Sequence, residues 1–260
     1  MLRELHTAAM GMIPQMTRLE VISNNIANVS TPGFRREVVF EHALTEAKRN
    51  LYNTQSEPEP EDTTVGTYYD FSKGGISRSG NPLDFAINGD GFFAVMDAQG
   101  NEMLTRTGRF MLNPQGFVTT PDGKMLMGDG GPIQIPMMSG TLAAVNPDVA
   151  RASQISVAEN GEVFFNEIPI NSIKLVQVDN PQSLRRTADQ TFIPTSETIM
   201  NETFEGDKMV KQFHLEGSNV NIVSEMVQMI EAQRQFEFGQ KVIQTNDSTL
   251  DYSIELGRFS

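Results

Sequence analysis

The chain contains no cysteine and no tryptophan, and only three of its 260 residues are histidine. Without cysteine it can form no disulfide, no thiolate nucleophile and no cysteine-ligated zinc or iron–sulfur centre. The histidines, His6, His42 and His214, have no i, i+4 partners, so the sequence indicates no histidine metal site either. We therefore predict no bound metal, no cofactor and no catalytic residues that depend on one.

Basic residues are also scarce: 20 Lys and Arg stand against 33 Asp and Glu, which gives a formal net charge of −13. Nucleic acids and anionic membrane surfaces are bound through basic patches, so we expect neither as a partner. The sequence has no run of about 18 apolar residues that could cross a bilayer. Arg3, Glu4, His6 and Pro14 interrupt the first apolar residues, so the start of the chain lacks the pattern of a cleaved signal peptide.

Apolar residues recur in steps of three and four near the start of the chain, and every seven residues from Met229 to Leu250 near the other end. Both spacings are typical of helices with a narrow apolar stripe. The steps predict one helix over residues 2–27 and a second from Asn221 to about Leu256, with Ser218 or Asn219 as its N-cap. Long helices are marginally stable alone in water, so each stripe needs a partner. The predicted assembly interface consists of the stripe residues Leu5, Met12, Met16, Leu19, Ile26, Met226, Met229, Phe236, Ile243 and Leu250.

The middle of the chain, residues 71–215, has no sustained helical period. Short aromatic and β-branched runs, such as 92–95 and 173–178, alternate with turn dipeptides, such as Asn88-Gly89 and Asn160-Gly161. Glycine in these dipeptides takes the positive φ that tight hairpins need. The pattern predicts an all-β domain.

These segments together predict an α+β fold, in which the long N- and C-terminal helices pack together as a discontinuous helical domain with the all-β domain inserted between them. The predicted boundaries are 1–35 and 216–260 for the helical assembly domain, 36–70 for an extended linker region and 71–215 for the β domain. The linker region contains the acidic, proline-rich residues 57–62. A pair of helices is too thin to cover both apolar stripes, which favours a subunit that assembles with others.

Three groups of motifs occur in order along the chain. Residues 24–28 read Asn-Asn-Ile-Ala-Asn and are followed by Thr-Pro-Gly-Phe-Arg-Arg at 31–36. The middle contains Gly-Asn-Pro-Leu-Asp-Phe-Ala-Ile-Asn-Gly-Asp-Gly-Phe-Phe at 80–93 and Thr-Arg-Thr-Gly-Arg-Phe at 105–110. Near the other end, Glu-Gly-Ser-Asn-Val-Asn at 216–221 precedes Glu-Met-Val-Gln-Met-Ile at 225–230 and Gln-Arg-Gln-Phe-Glu at 233–237. In sequence and order these motifs resemble those of the bacterial flagellar basal-body rod protein family.

The resemblance implies a structural role and no enzymatic activity. A family member is a subunit of the rod, the drive shaft that carries torque from the flagellar motor to the hook. The resemblance also implies helical assembly through the terminal helices, with copies of the chain and other rod proteins as partners. It further implies export by the flagellar type III export apparatus without a cleaved signal peptide, and a place in the periplasmic rod of the basal body.

Several alternatives stay open at this point. The motifs at 30–34, 131–136 and 234–237 favour the proximal-rod type of the family, and the distal-rod type, which has similar length and termini, is the alternative. Outside the family, a secreted self-associating β-rich adhesin and a hydrolase that uses an aspartate pair in the β domain are alternatives. An adhesin needs an exposed aromatic groove, and a hydrolase needs a concave pocket with carboxylates of perturbed pKa.

Overall fold

The computed structural model describes residues 2–43, 63–136, 155–187, 189–195, 200–202 and 210–257, without the side chains of 2–10, 41–43, 63–65, 202 and 250–257. The long helices are α1, Leu2–Ala27, and α2, Ile222–Gly257, and a short 3-10 helix spans Pro181–Ser183. The strands are β1 Glu37–Ala43, β2 Thr63–Tyr69, β3 Ile76–Arg78, β4 Phe85–Ile87, β5 Phe92–Met96, β6 Glu102–Thr105, β7 Met111–Leu112, β8 Val118–Thr119, β9 Met125–Gly128, β10 Gly131–Pro132, β11 Ile155–Val157, β12 Glu162–Phe165, β13 Ile168–Ser172, β14 Leu175–Val178, β15 Arg185–Arg186, β16 Thr191–Ile193, β17 Met200–Glu202, β18 Val210–Gln212 and β19 His214–Glu216.

Helices at the two ends and a large β-rich region between them confirm the predicted α+β class. The chain divides into two compact units. The helical unit contains the described residues of 2–29, 36–70 and 220–257, and the β unit contains residues 30–35 and the described residues of 71–219. The helical unit is therefore assembled from three separate stretches of sequence.

Residues 36–70 contain a strand pair, where the sequence predicted an extended linker region. β1 pairs antiparallel with β2 along all seven residues of each strand. Phe40 lies directly opposite Gly66, and a Cβ at Gly66 would lie 2.5 Å from the Phe40 ring. The missing side chain of Gly66 thus makes room for the aromatic ring across the strand pair. The acidic residues 57–62 lie outside the described residues.

The N-cap of α2 is Asn221, so the sequence-based choice of Ser218 or Asn219 was wrong. The Asn221 Oδ1 accepts hydrogen bonds from the backbone N–H groups of Val223 at 3.1 Å and Ser224 at 3.2 Å. A helix leaves the N–H groups of its first turn without intrahelical partners, and a side-chain oxygen at the N-cap satisfies them.

The β unit is built around one large antiparallel sheet. Its strands follow the order β15-β16-β6-β5-β9-β8-β7, with β10 beside β9, β14 beside β5 and β17 beside β14. Smaller groups are the sheet β11-β12-β13 and the pairs β18–β4 and β19–β3. Apolar side chains of the central strands form the core, where the Phe93 and Phe110 rings meet edge to face with centroids 5.5 Å apart. Full burial of such a side chain stabilises a fold by about 1.5–3 kcal/mol.

Candidate assembly surface

Asn25, in the asparagine-rich motif near the end of α1, connects three elements of the helical unit. Its side chain is buried, and its Nδ2 donates to the Glu37 carbonyl of β1 at 2.8 Å and to Oε2 of Glu225 on α2 at 3.1 Å. Its Oδ1 accepts a hydrogen bond from the Glu37 N–H at 3.0 Å. One amide side chain therefore holds α1, β1 and the start of α2 in register.

Glu225 is a charged residue on the buried side of α2, where it is 1% exposed. Arg36 pairs with this charge, because its Nε donates to Glu225 Oε1 at 2.6 Å, while its Nη2 donates to Gln228 Oε1 at 3.3 Å. A buried carboxylate is stable only when its charge is paired and its oxygens accept hydrogen bonds. Asn25, Arg36 and Glu225, here called the Glu225 cluster, thus fix the rotation of α2 about its own axis.

The rotation of α2 leaves a second apolar face of this helix uncovered. Five residues at the spacing i, i+1, i+4, i+5, i+8 lie within an arc of about 140° on a helix with 100° per residue. These residues, here called the outward face, are Ile222, Val223, Met226, Val227 and Ile230. They are 39–67% exposed, whereas Glu225 and Ala232 on the other side of α2 are buried.

A shallow groove, wide open to solvent, lies between α1 and α2 within the helical unit, and its volume is ≈ 570 Å³. It is lined by the seven residues here called the helix groove, Leu19, Glu20, Ser23, Asn24 and Ala27 on α1 and Met229 and Gln233 on α2. Leu19 and Met229 make the groove apolar, and the small side chains of Ser23 and Ala27 leave room in it.

The residues that the sequence predicted as the assembly interface fall into three groups. Partly buried are Met12, Leu19, Ile26, Met229, Phe236 and Ile243. Met16 is 50% exposed and Met226 is 47% exposed. The side chains of Leu5 and Leu250 lie outside the described residues. The role of all ten residues in contacts between subunits stays a prediction.

Sequence reasoning missed four members of the outward face, which are Ile222, Val223, Val227 and Ile230. The heptad spacing follows one line of residues along α2 and placed Met226 beside Met229. In the structure Met226 belongs to the outward face, whereas Met229 lines the helix groove. The signal that could have found this face is the pair of adjacent apolar residues that recurs after four positions in residues 222–230.

Glu216 is the centre of a second buried charge cluster, which lies in the β unit. The residue is 2% exposed. Its Oε1 accepts hydrogen bonds from Arg35 Nη2 at 2.8 Å and from the Gly74 N–H at 3.0 Å, and its Oε2 accepts one from Arg106 Nε at 2.6 Å. The Arg106 guanidinium also donates to the carbonyl oxygens of Gly89 and Gly91. This Glu216 cluster joins parts of the β unit that are far apart in sequence.

The charges around Glu216 keep it ionised. Burial alone would raise the pKa of Glu216, but the charges of Arg106 and Arg35 and the hydrogen bonds they donate lower that pKa below its ordinary value.

Gly33 contacts the backbone of Glu216, because the Gly33 N–H donates to the Glu216 carbonyl at 2.8 Å. Gly33 has a φ of 72°, and a Cβ there would lie 2.6 Å from backbone atoms of Arg106. Only glycine fits this position, which explains the glycine of the Thr-Pro-Gly-Phe motif.

The aspartates of the central motif have structural partners within the β unit. Asp84 accepts a hydrogen bond from Asn81 Nδ2 at 3.1 Å, and Asp90 pairs with Lys73 Nζ at 3.1 Å. In the part of the chain that the structure describes, no group of three or more histidine, aspartate or glutamate side chains is arranged to hold a metal ion. Among the described helices, none combines the length and the apolar composition needed to cross a membrane.

Comparison with known families gives matches to three family profiles, in the same order as the motifs. The profile described as flagella basal body rod protein matches residues 5–35. The flagellar hook protein FlgE/F/G D1 domain matches residues 86–165, and the flagellar basal body rod FlgEFG protein C-terminal profile matches residues 211–256. The first and third of these ranges contain Asn25, Glu216 and Glu225, the residues on which both charge clusters depend.

Relatives match over nearly their whole length. The flagellar basal-body rod protein FlgG of Buchnera aphidicola subsp. Schizaphis graminum is 32% identical over 96% of this chain and 98% of its own length. FlgG of Agrobacterium fabrum is 30% identical, over 95% of this chain and 96% of its own. The flagellar basal-body rod protein FlgF of Caulobacter vibrioides is 32% identical over 94% and 93%. Matches of this identity and coverage show that the chain belongs to the flagellar basal-body rod protein family.

Proposed function

We propose that the outward face of α2 is the surface through which this structural rod subunit contacts its neighbours. The observation that carries the proposal is the exposure of five apolar side chains on consecutive turns of a helix whose other side is already packed. A contiguous exposed apolar patch of this kind marks an interaction surface. Covering side chains that are about half exposed contributes on the order of 1 kcal/mol each.

The helical unit as a whole is then a discontinuous assembly domain. Its three stretches of sequence are tied together by the Glu225 cluster. The partly buried stripe residues of α1 and α2, from Met12 to Ile243, leave apolar surface that packing against a neighbour would cover. The terminal helices would therefore gain stability on assembly, because a neighbouring subunit would cover the apolar surface that the isolated helical unit leaves exposed.

We further propose that the chain transmits torque in the periplasmic part of the rod, next to copies of itself and other rod proteins, and that the flagellar export apparatus delivers it. Family membership supports this role. Relatives named FlgG and FlgF match at similar identity, so the proximal-rod type stays our prediction with the distal-rod type as the alternative. The relatives named above are all rod proteins, which gives no support to an adhesin or a hydrolase.

A truncated chain that ends at residue 220 tests the proposed function. We expect it to be absent from purified basal bodies and its cells to be non-motile, because it lacks the outward face and the α2 side of the helix groove. Quantitative mass spectrometry of basal bodies measures this, with the full chain as the control. An adhesin or hydrolase would keep its activity in the remaining β unit. A truncated chain found in basal bodies at the level of the full chain would contradict the proposal.

A further inference from the structure

We infer that Asn88 is a site of spontaneous deamidation and that its isoaspartate product weakens the Glu216 cluster. The site lies in the β unit, so the inference is independent of the outward face and of the contacts proposed above. The sequence contains the dipeptide Asn-Gly at 88–89 and at 160–161. The structure gives the two dipeptides different surroundings.

Deamidation of Asn88 needs only the neighbouring Gly89 and water. The backbone nitrogen of Gly89 attacks Cγ of Asn88 and loses its proton, while the side-chain amide takes up a proton and leaves as ammonia. One water molecule then opens the cyclic imide at either of its two carbonyl carbons. One opening gives aspartate, and the other gives isoaspartate, in which the main chain runs through Cβ and Cγ and is one atom longer. Glycine favours the attack because it has no side chain to hinder the approach of its nitrogen.

The groups that react at Asn88 and Gly89 are free to do so. β4 pairs with β18, and β5 pairs with β6, β9 and β14, so the dipeptide between them does not close the hairpin that the sequence suggested. Neither the Asn88 side chain nor the Gly89 N–H has a hydrogen-bond partner among the described residues. Both residues are partly exposed. The attack therefore breaks no hydrogen bond of these groups, and water reaches the site.

Asn160 and Gly161 form the tight turn that joins β11 to β12. Gly161 has a φ of 87°, and its N–H donates to the Ala158 carbonyl at 2.9 Å. The Asn160 Oδ1 accepts a hydrogen bond from the Glu162 N–H at 3.0 Å. Both reacting groups are held by hydrogen bonds here, so this second dipeptide serves as a control within the same chain.

A longer main chain at Asn88 acts on the buried residue Arg106. The Arg106 Nε donates to Glu216 Oε2 at 2.6 Å. Its Nη2 donates to the carbonyl oxygens of Ile87 and Gly89, the residues on either side of Asn88. An extra main-chain atom between these two carbonyls moves them apart, so that one nitrogen no longer bonds to both. A buried donor that loses its acceptor destabilises the fold, and we expect isoaspartate at position 88 to have this effect.

Long incubation of the purified full chain tests the site. After weeks in mildly alkaline buffer, peptide mass spectrometry measures the converted fraction of each asparagine, and an isoaspartate-specific methyltransferase measures the isoaspartate formed. We expect the converted fraction at Asn88 to be at least about tenfold that at Asn160, where two hydrogen bonds have to break first. Equal conversion at the two positions, or no conversion at Asn88, would overturn the inference.

Gly89→Ala tests the route of the reaction. A Cβ at residue 89 would meet no atom within 4 Å, and the φ of Gly89 lies outside the left-handed region, so the variant should fold like the unchanged chain. The added methyl group hinders the attacking nitrogen, and we expect conversion at Asn88 to slow about tenfold or more. A variant that converts as fast as the unchanged chain would show that Gly89 takes no part, contrary to the inference.

The effect on the Glu216 cluster is measured on the aged protein. Ion exchange separates the deamidated fraction by its additional negative charge. Asn88→Asp is the matched control, because it carries the same charge on a main chain of normal length. We expect the aged fraction to unfold at a lower urea concentration than Asn88→Asp. If the aged fraction contains isoaspartate at position 88 and unfolds at the same urea concentration as Asn88→Asp, the predicted effect on the cluster is wrong.

Discussion

Replacing Glu216 with alanine is expected to lower the free energy of unfolding by about 3–5 kcal/mol. The change leaves the guanidinium groups of Arg35 and Arg106 buried without their carboxylate. Arg35 is affected most, because its Nε and Nη1 already have no hydrogen-bond partner among the described residues, and its Nη2 bonds to Glu216. Urea denaturation of the full chain, followed by circular dichroism, measures the loss.

Glu231→Ala is the matched control, since Glu231 is exposed on α2 and its loss should change stability by no more than about 0.5 kcal/mol.

The dependence of stability on pH gives a second test of the Glu216 cluster. The lowered pKa of Glu216 stabilises the fold above the ordinary glutamate pKa, and that stability is lost as the pH falls through the lowered value. The stability gap between the unchanged chain and Glu216→Gln should therefore narrow below about pH 4.3. Equal effects of Glu216→Ala and Glu231→Ala would show that the Glu216 cluster contributes nothing to stability.

Replacing Val223 with aspartate is expected to abolish incorporation into the rod while the subunit stays folded. Val223 is 67% exposed and lies in the first turn of α2, where a negative charge interacts favourably with the helix dipole. The isolated subunit should therefore keep its stability. In the assembled rod the same carboxylate would be buried without a partner, at a cost of about 3 kcal/mol or more per contact, which is about a 100-fold weaker contact.

Ser224→Asp is the control for Val223→Asp, because it adds the same charge one position later. Ser224 is also exposed but lies outside the outward face. Incorporation is measured as the amount of the chain in purified basal bodies, and stability is measured on the purified subunit. We expect near-normal incorporation of Ser224→Asp. Equal incorporation of the two variants would show that the outward face is not buried in the rod.

The two helices could be predicted from the sequence because their apolar spacing extends over many turns. The exact N-cap could not be predicted, since Ser218, Asn219 and Asn221 are all polar residues close to the start of α2 that can act as a cap. Asn221 Oδ1 caps the helix, whereas Asn219 contacts a residue distant in sequence, because its Nδ2 donates to the Ser72 carbonyl at 3.1 Å. Local sequence propensities do not predict contacts between residues that are distant in sequence.

The strand pair of residues 36–70 was missed for a related reason. The acidic, proline-rich residues 57–62 dominate the composition of that range, and they favour a linker. β1 and β2 flank this stretch and depend on each other, as shown by the position of Phe40 opposite Gly66. A strand whose partner is distant in sequence has little local signal of its own.

The periodicity of apolar residues alone does not predict the outward face. The spacing of apolar residues predicts that Met226 is buried and that Glu225 is exposed. The structure has the reverse, because the Glu225 carboxylate accepts hydrogen bonds from Asn25 and Arg36 on the buried side of α2. The motifs that carry these residues could be recognised in the sequence. Their pairing could not, since Asn25 and Glu225 are 200 residues apart.

The most direct test of the central claim is a cryo-electron microscopy reconstruction of the intact basal body that resolves this chain. We predict that the chain lies in the rod and that Val223 and Val227 are buried against a neighbouring subunit. A reconstruction in which the chain is in the rod but these side chains face solvent would contradict the proposed surface. Absence of the chain from the rod would contradict its function as a structural subunit.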